Sequence, residues 1–230
     1  MAVILQLETA THSCSVALAR DGALLASRDH LSTGFSHAEK LNVFINEVLK
    51  EAGVTMKELN AVAVGIGPGS YTGLRIGLSA AKGLCYALDI PIIGIGTLDC
   101  LVEALRAAGH GPRAMELLWP MIDARRMEVF TKCVDGDKTT DPMPLELSVE
   151  WIAGLDPSRE HIVFGDGADK AVDLFASALH VKRVPSITPL ASAMCRIALD
   201  RWAQGAFDDL AYLIPLYGKE AGVTIAKKPV

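Results

Sequence analysis

The sequence has few cysteines, no excess of basic residues and no long apolar run, and each shortage excludes a class of protein. Its five cysteines form no C-x-x-C pair, which argues against a disulfide framework and a zinc site. The 22 Lys and Arg are outnumbered by 27 Asp and Glu, so no overall basic field can hold a phosphate backbone. No apolar run approaches the roughly 20 residues that cross a bilayer. We expect a cytoplasmic protein without signal peptide or membrane span.

Motifs for metal, nucleotide and nucleophilic chemistry are also missing. No two of the six histidines stand four residues apart, so no H-x-x-x-H or H-E-x-x-H metal site is expected. The glycine-rich stretch 65–77 lacks both the lysine of a P-loop and the last glycine of a dinucleotide fingerprint. A nucleophile elbow, G-x-S-x-G, has glycines two residues before and two residues after its serine, and Ser70 lacks both. We interpret Ser70 as a helix cap.

Apolar periodicity predicts an α/β fold. A helical period begins after Ser36, which with Glu39 forms a capping box, and Gly53 ends that helix. Thr97 is expected to cap a later helix. The predicted strands cover 3–7, 15–19, 23–26, 61–66, 91–95, 117–122, 128–134 and 162–165, and the predicted helices 36–52, 71–88, 97–108, 168–178 and 190–205.

The two halves of the chain open with the same pattern. Each has a strand ending in an acidic residue, Glu8 or Asp123, then a second strand and an Asp-Gly turn at 21–22 or 135–136. This repetition predicts duplicated α/β lobes with a cleft between them. We place the lobes at 1–108 and 109–230, with 109–112 as linker, and expect the helix over 190–205 to pack back on the first lobe.

The glycine-rich stretch leaves two interpretations open. It follows a strand and opens a helix, so its free N–H groups could bind an anion, or it could be only a tight turn. The helix then carries a stripe of small residues, Gly73, Gly77 and Ala81, which lets another backbone approach closely. That backbone belongs either to a partner or to the chain's own sheet. The group Asp123, Arg125 and Glu128 favours a salt-bridged hairpin over a catalytic set.

Several segments together resemble one known family. They are Glu-Thr-Ala-Thr at 8–11, Gly-Pro-Gly-Ser-Tyr-Thr-Gly-Leu-Arg-Ile-Gly at 67–77, Pro-Ile-Ile-Gly-Ile at 91–95 and Ile-Asp-Ala-Arg at 122–125. The combination is specific, and the chain is similar over most of its length to the bacterial TsaB (YeaZ) family. The resemblance implies an actin-like (ASKHA, ribonuclease H-like) duplicated fold, with two lobes of mixed sheets flanked by helices.

The same resemblance implies a role in forming N6-threonylcarbamoyladenosine at position 37 of tRNAs that read codons beginning with A. It implies a non-catalytic partner of TsaD, joined by the ATPase TsaE, that meets tRNA only through the complex and forms a homodimer when TsaD is absent. The partner-binding surface would lie on the first two helices, about 36–52 and 72–88. Its implied residues are His37, Lys40, Gly69, Ser70, Thr72, Gly73, Arg75, Ile76, Gly77, Ala80 and Ala81.

Departures from the family pattern bear on chemistry. The metal-binding H-x-x-x-H of TsaD corresponds here to 97–101, where Thr97 and Leu101 replace both ligands, and Glu8 replaces the usual Asp of the fold. We therefore expect no intrinsic cofactor, with Glu8, Thr9, Asp123 and Arg125 as the residues a bound Mg-ATP would meet. The alternatives are an ATP-dependent phosphotransferase or ATPase and, less favoured, a peptidase. Tyr212, Pro215, Tyr217 and Lys219 match the family's C-terminal segment only in part, and no role is expected for 212–230.

Overall fold

Two β-sheets flanked by helices form the protein. The computed structural model describes residues 1–31, 37–111, 113 and 115–218. The first sheet contains β1 (Val3–Glu8), β2 (Ser13–Arg20), β3 (Ala23–Leu31), β4 (Ala61–Gly67) and β5 (Ile92–Gly96). The second contains β6 (Glu116–Asp123), β7 (Glu128–Thr131), β8 (Val134–Asp135), β9 (Lys138–Thr139), β10 (Met143–Glu146), β11 (Glu160–Phe164) and β12 (Val181–Val184). The helices are α1 (His37–Ala52), α2 (Tyr71–Leu88), α3 (Thr97–Ala107), α4 (Val149–Ala153), α5 (Asp166–Asp169), α6 (Val172–Ala176) and α7 (Cys195–Ala203).

The two sheets share one topology. Their strand orders are β3-β2-β1-β4-β5 and β10-β7-β6-β11-β12, with β8 and β9 off the second path. In each sheet the first strand pairs antiparallel with its hairpin partner and parallel with the strand on its other side. Both sheets are therefore mixed, and the predicted duplication of an α/β unit is confirmed.

The two Asp-Gly turns occupy related but unequal places. Asp21 and Gly22 join β2 to β3 directly, with left-handed φ values of 48° and 78°. Gly136, with φ 59°, lies instead between β8 and β9, a small hairpin inserted before β10. The single strand predicted over 128–134 is thus wrong, because pairing with β6 is interrupted after Thr131 and resumes only at Val134.

Helices α1 and α2 cover one face of the first sheet. Leu41, Ile45, Val48 and Leu49 of α1 are buried, as their spacing predicts, and pack with strand residues such as Leu5. Helix α2 has the predicted bounds, and its Leu78, Ala81 and Cys85 join the same core. This pair of helices leaves its outer side to solvent.

Helices α3 and α7 connect the two halves. Helix α7 contributes Ala198 to a core with β1, β4 and β5, so the C-terminal helix lies on the first sheet. Helix α3 packs Leu98 and Leu101 against the second sheet, and the Nζ of the buried Lys132 lies 2.5 Å from Asp99 of α3. Helix α3 belongs to the predicted first lobe but contacts both sheets. The predicted lobe boundary near residue 108 stays a prediction.

Several local expectations need correction. Gly96 rather than Thr97 occupies the N-cap of α3, and the helix predicted over 168–178 is broken into α5 and α6. The helix predicted over 190–205 begins as a 3-10 turn at Ala191–Met194. The predicted cap Ser36, the linker residue Pro112 and residues 219–230, including Lys219, lie outside the described residues. Among those described, no helix combines the length and apolarity needed to span a membrane.

Candidate functional site

The glycine-rich loop is tied to the turn between β1 and β2. The N–H of Ser70 donates to the carbonyl of Ala10 at 2.6 Å, and the Ser70 hydroxyl accepts from the N–H of Gly73 at 3.2 Å. Ser70 is therefore the N-cap of α2, as predicted. A Cβ on Gly69 would clash with the Ala10 carbonyl. The loop is thus a tight structural turn that sets the start of α2.

The small-residue stripe of α2 faces the chain's own β1–β2 turn. A Cβ on Gly73 would collide with the carbonyl of Thr9, and one on Gly77 with the Thr9 hydroxyl. That hydroxyl donates to the carbonyl of Gly73 at 2.8 Å, and Ala81 is fully buried in the core. The expectation that Gly73, Gly77 and Ala81 face a partner is wrong, because this side of α2 packs against the chain's own β1–β2 turn and core.

His37 is also an internal residue. It is fully buried at the start of α1 and lies beside Gly73, and it forms a hydrogen bond with the backbone of Thr11. Burial lowers the pKa of its imidazole, so the neutral form is favoured. His37 therefore does not face a partner, contrary to its predicted place on the partner-binding surface.

On their outer side, α1 and α2 enclose an open groove of about 630 Å³. Four of the residues named from the sequence, Thr72, Arg75, Ile76 and Ala80, line it, whereas Lys40 does not. Their contact with a partner stays a prediction. The other lining residues, which the sequence analysis missed, are Ala38, Leu41, Asn42, Tyr71 and Ser79. The spacing of 71, 75 and 79 by four could have indicated one helix face.

An aromatic and cationic cluster stands at the start of α2. The guanidinium carbon of Arg75 lies 4.0 Å from the centre of the Tyr71 ring. Tyr217, from the C-terminal segment, places its ring 4.6 Å from that of Tyr71, and its hydroxyl accepts from the Nε of Arg75 at 3.0 Å. No sequence signal linked Tyr217 to α2, because 142 residues separate it from Arg75.

Glu8 is a buried residue at the end of β1. Its side chain is fully buried against Gly65, one oxygen accepts from the N–H of Ala10 at 2.6 Å, and Oε2 has no partner among the described residues. Burial raises the pKa of Glu8 from 4.5 to about 7, although hydrogen bonds from Ala10 and Thr9 oppose the shift. The expected facing pair of Glu8 and Asp123 is therefore wrong.

On the second lobe, charged residues are engaged with one another. Asp123 pairs with Lys170 at 2.5 Å and accepts from the backbone N–H of Arg125, which is exposed with φ 71°. Asp123 thus takes its ion pair from Lys170, and the salt-bridged hairpin expected for Arg125 and Glu128 stays a prediction. Asp166, which the sequence analysis missed, accepts from the N–H of Asp123, and burial raises its pKa while the charge of His12 lowers it. The carboxylate of Asp166 thus holds the end of β6 at the start of α5.

Three of the four residues named for a magnesium nucleotide are engaged within the chain, and nucleotide binding stays a prediction. Hard cations take exposed carboxylate oxygens, but Glu8 is occluded and Asp123 is already paired with Lys170. The hydroxyl of Thr9 is bonded to Gly73. In the described part of the chain, no group of three or more His, Cys, Asp or Glu side chains is placed to hold a metal ion.

Comparison with known proteins decides the family. Residues 32–146 match the model of a family described as "TsaD: tRNA N6-adenosine threonylcarbamoyltransferase". Over 223 residues the chain is 30% identical to the Escherichia coli K12 "tRNA threonylcarbamoyladenosine biosynthesis protein TsaB", covering 93% of each. The chain belongs to the TsaB family, within the wider TsaD family. Membership agrees with the motifs at 8–11, 67–77 and 122–125.

Solved structures bear on the fold of this TsaB-family chain. YeaZ from Pseudomonas aeruginosa is 28% identical with a TM-score of 0.77, covering 94% of this chain and all of that one. The activator of 2-hydroxyisocaproyl-CoA dehydratase from Clostridium difficile, solved with bound ADPNP, has a TM-score of 0.53 at 10% identity, covering 90% and 99% of the two chains. The second likeness shows the fold alone. The predicted actin-like fold is confirmed.

The contact of α2 with Thr9 predicts an effect on stability. Gly77→Leu should lower the free energy of unfolding by about 2 kcal/mol or more, because the added side chain overpacks a buried contact. Gly83→Ala on the same helix is the matched control, since a Cβ there meets nothing within 4 Å. It should be neutral or stabilising by about 0.5 kcal/mol. Urea unfolding measures both, and equal stabilities would contradict the contact.

Glu8 predicts a pH-dependent difference. Between pH 4.5 and about 7 the unfolded chain loses the Glu8 proton while the folded chain keeps it, so stability falls as pH rises and levels off above 7. Glu8→Gln removes this loss. The free energy of unfolding of Glu8→Gln minus that of the natural chain should therefore be roughly 3 kcal/mol larger at pH 8 than at pH 4.5. Urea unfolding at the two pH values measures it. The same difference at both would contradict the raised pKa.

Proposed function

We propose that this chain is a non-catalytic subunit of the machinery that forms N6-threonylcarbamoyladenosine in tRNA. Its action is to dock the outer face of α1 and α2 on a TsaD-family subunit. Membership of the TsaB family supports the pathway, since the Escherichia coli relative is named for threonylcarbamoyladenosine biosynthesis. The groove between α1 and α2 supports the mode of action.

The groove is the observation that carries the proposal. It lies between two helices of 16 and 18 residues whose inner faces are buried, so both are held rigidly against the sheet. Leu41, Ile76 and Ala80 give it apolar walls, and Tyr71 remains 49% exposed. A preformed apolar groove flanked by exposed polar residues suits a helix of another protein. A specific complex would bury on the order of 1,000 Å² or more.

The chain's own residues support a binding role rather than a chemical one. Thr97 and Leu101, which stand where TsaD carries its metal ligands, are fully buried at the start of α3. Neither side chain offers a metal ligand in that core. Glu8, at the position of the fold's usual Asp, is occluded as well. The transferase chemistry in the complex therefore belongs to TsaD.

The wider assembly follows from the same proposal. TsaE joins the complex of TsaD with this chain, and tRNA is held by the assembled complex because the chain carries a net charge of -5. When TsaD is absent, two copies associate through the α1–α2 face. The complex works in the cytoplasm, and this subunit needs no bound nucleotide.

Blocking the groove should prevent docking without unfolding the chain. Asn42 and Ser79 are exposed and line the groove, so Asn42→Arg with Ser79→Arg fills it while leaving the core unchanged. Binding to TsaD should weaken by at least tenfold, as seen by size exclusion and calorimetry. The matched control is Asn46→Arg with Tyr86→Arg, two exposed positions on the same helices outside the groove. Equal binding by both double variants would contradict the docking face.

Reconstitution tests whether the subunit is required but not catalytic. Adenosine modification in tRNA, measured by mass spectrometry of nucleosides, should fall to background when this chain is left out and return when it is added. Glu8→Gln should restore the activity fully, because Glu8 contacts only the chain's own backbone. Undiminished activity without the chain would contradict the requirement. Failure of the folded Glu8→Gln variant would favour chemistry in the cleft.

A further inference from the structure

Arg75 is held in a defined position at the groove. Its guanidinium lies over the face of Tyr71 at 4.0 Å, and its Nε donates to the Tyr217 hydroxyl at 3.0 Å. Stacking on an aromatic ring and a hydrogen bond on Nε hold the guanidinium on the exposed side of α2, where its planar fork can meet an incoming group. An arginine side chain fixed in this way has already lost much of its rotamer entropy.

No carboxylate of the described residues balances this charge. Within the described residues Arg75 has no ion pair, and only Tyr217 and Tyr71 act to raise the pKa of its guanidinium. Arg28 and Arg159, by contrast, are paired with acidic side chains. Among the described residues that line the groove, Arg75 is the only charged one.

We infer that Arg75 is the recognition point of the groove and that it binds a carboxylate carried by the docking helix of the TsaD-family subunit. This inference rests on the proposed function and adds the chemistry that the partner must present. The fork of terminal N–H groups matches a carboxylate bidentately. Aromatic and arginine residues at the centre of an interface typically contribute most of its binding energy.

Charge complementarity favours an unlike partner over a second copy. The described residues that line the groove include one arginine and no Asp or Glu. If two copies met groove to groove about a twofold axis, two Arg75 guanidinium groups would approach without a carboxylate between them, and like charges disfavour such contacts. A TsaD-family helix with an Asp or Glu at that point would remove the conflict. The heterodimer should therefore be tighter than the homodimer.

Tyr217 is a positioning residue in this arrangement. It reaches α2 because the N–H of Leu216 donates to the carbonyl of Ile66 at 2.7 Å, which fixes the C-terminal segment beside the glycine-rich loop. The Tyr217 hydroxyl then orients Arg75. Removing it leaves the charge in place but frees the side chain, so binding should weaken less than when the charge is lost.

The test is the affinity of the full-length chain for the TsaD-family subunit of the same organism, measured by calorimetry at 50 and 300 mM NaCl. Arg75→Glu should weaken binding by at least about 30-fold, Arg75→Lys by about tenfold and Tyr217→Phe by about threefold. Lys57→Glu makes the same charge change at an exposed position outside the groove, and it should leave the affinity unchanged. Reversing one Asp or Glu on the partner's docking helix to Arg should restore binding by Arg75→Glu.

The possible results separate the two proposals. If the natural chain does not bind the TsaD-family subunit, the proposed function fails first. If Arg75→Glu, with an unchanged melting temperature, binds within twofold of the natural chain, docking stands and the role of Arg75 is overturned. Loss of the homodimer alone would also overturn it, because the occupant would then be a second copy. Should Arg75→Glu not fold, Arg75→Lys and Tyr217→Phe decide the matter, and full affinity of both would overturn the inference.

Discussion

The close contact between α2 and Thr9 is the constraint on which the rest of the candidate site depends. Glycines at 73 and 77 let the helix backbone rest against the Thr9 carbonyl and hydroxyl. Any larger side chain would push the helix outward and rotate it. With this side of α2 fixed inward, positions 71, 75 and 79 must face solvent. The groove and its single arginine are therefore consequences of two missing side chains on the opposite face.

Charged side chains of the two halves pair with each other where the halves meet. The ion pair of Asp99 with Lys132 brings charged groups of the two halves together. Glu8 is buried beneath this region at the end of β1, where its neutral form is favoured until about pH 7. Side chains committed to such contacts are not available to a reacting group. In the proposed function, the outer face of α1 and α2 is where the chain acts on another protein.

The C-terminal segment links these parts over long sequence distances. Asp208 pairs with β5, donating to the carbonyl of Ile92 and accepting from the N–H of Gly94, so it covers the open edge of the first sheet. Farther along, Leu216 bonds to Ile66 and Tyr217 reaches Arg75. The stretch from residue 212, for which the sequence indicated no role, thus contributes Leu216 and Tyr217, which hold the segment against the glycine-rich loop and Arg75.

Periodicity and turn chemistry by themselves determined the strands of the first sheet, the bounds of α2, the buried face of α1 and the duplication, because these depend on residues close together in the chain. Short polar strands such as β10 and β12 were not predicted, because they are stabilised by pairing with neighbouring strands. The sequence placed Gly73, Gly77 and Arg75 on one helix but did not show which side of that helix faces the core. Only the tertiary structure decided that Thr9 fills the glycine face, that burial neutralises Glu8 and that Tyr217 meets Arg75. Which backbone approaches a glycine, and how far a carboxylate is desolvated, depend on groups that are distant in the chain and meet only on folding.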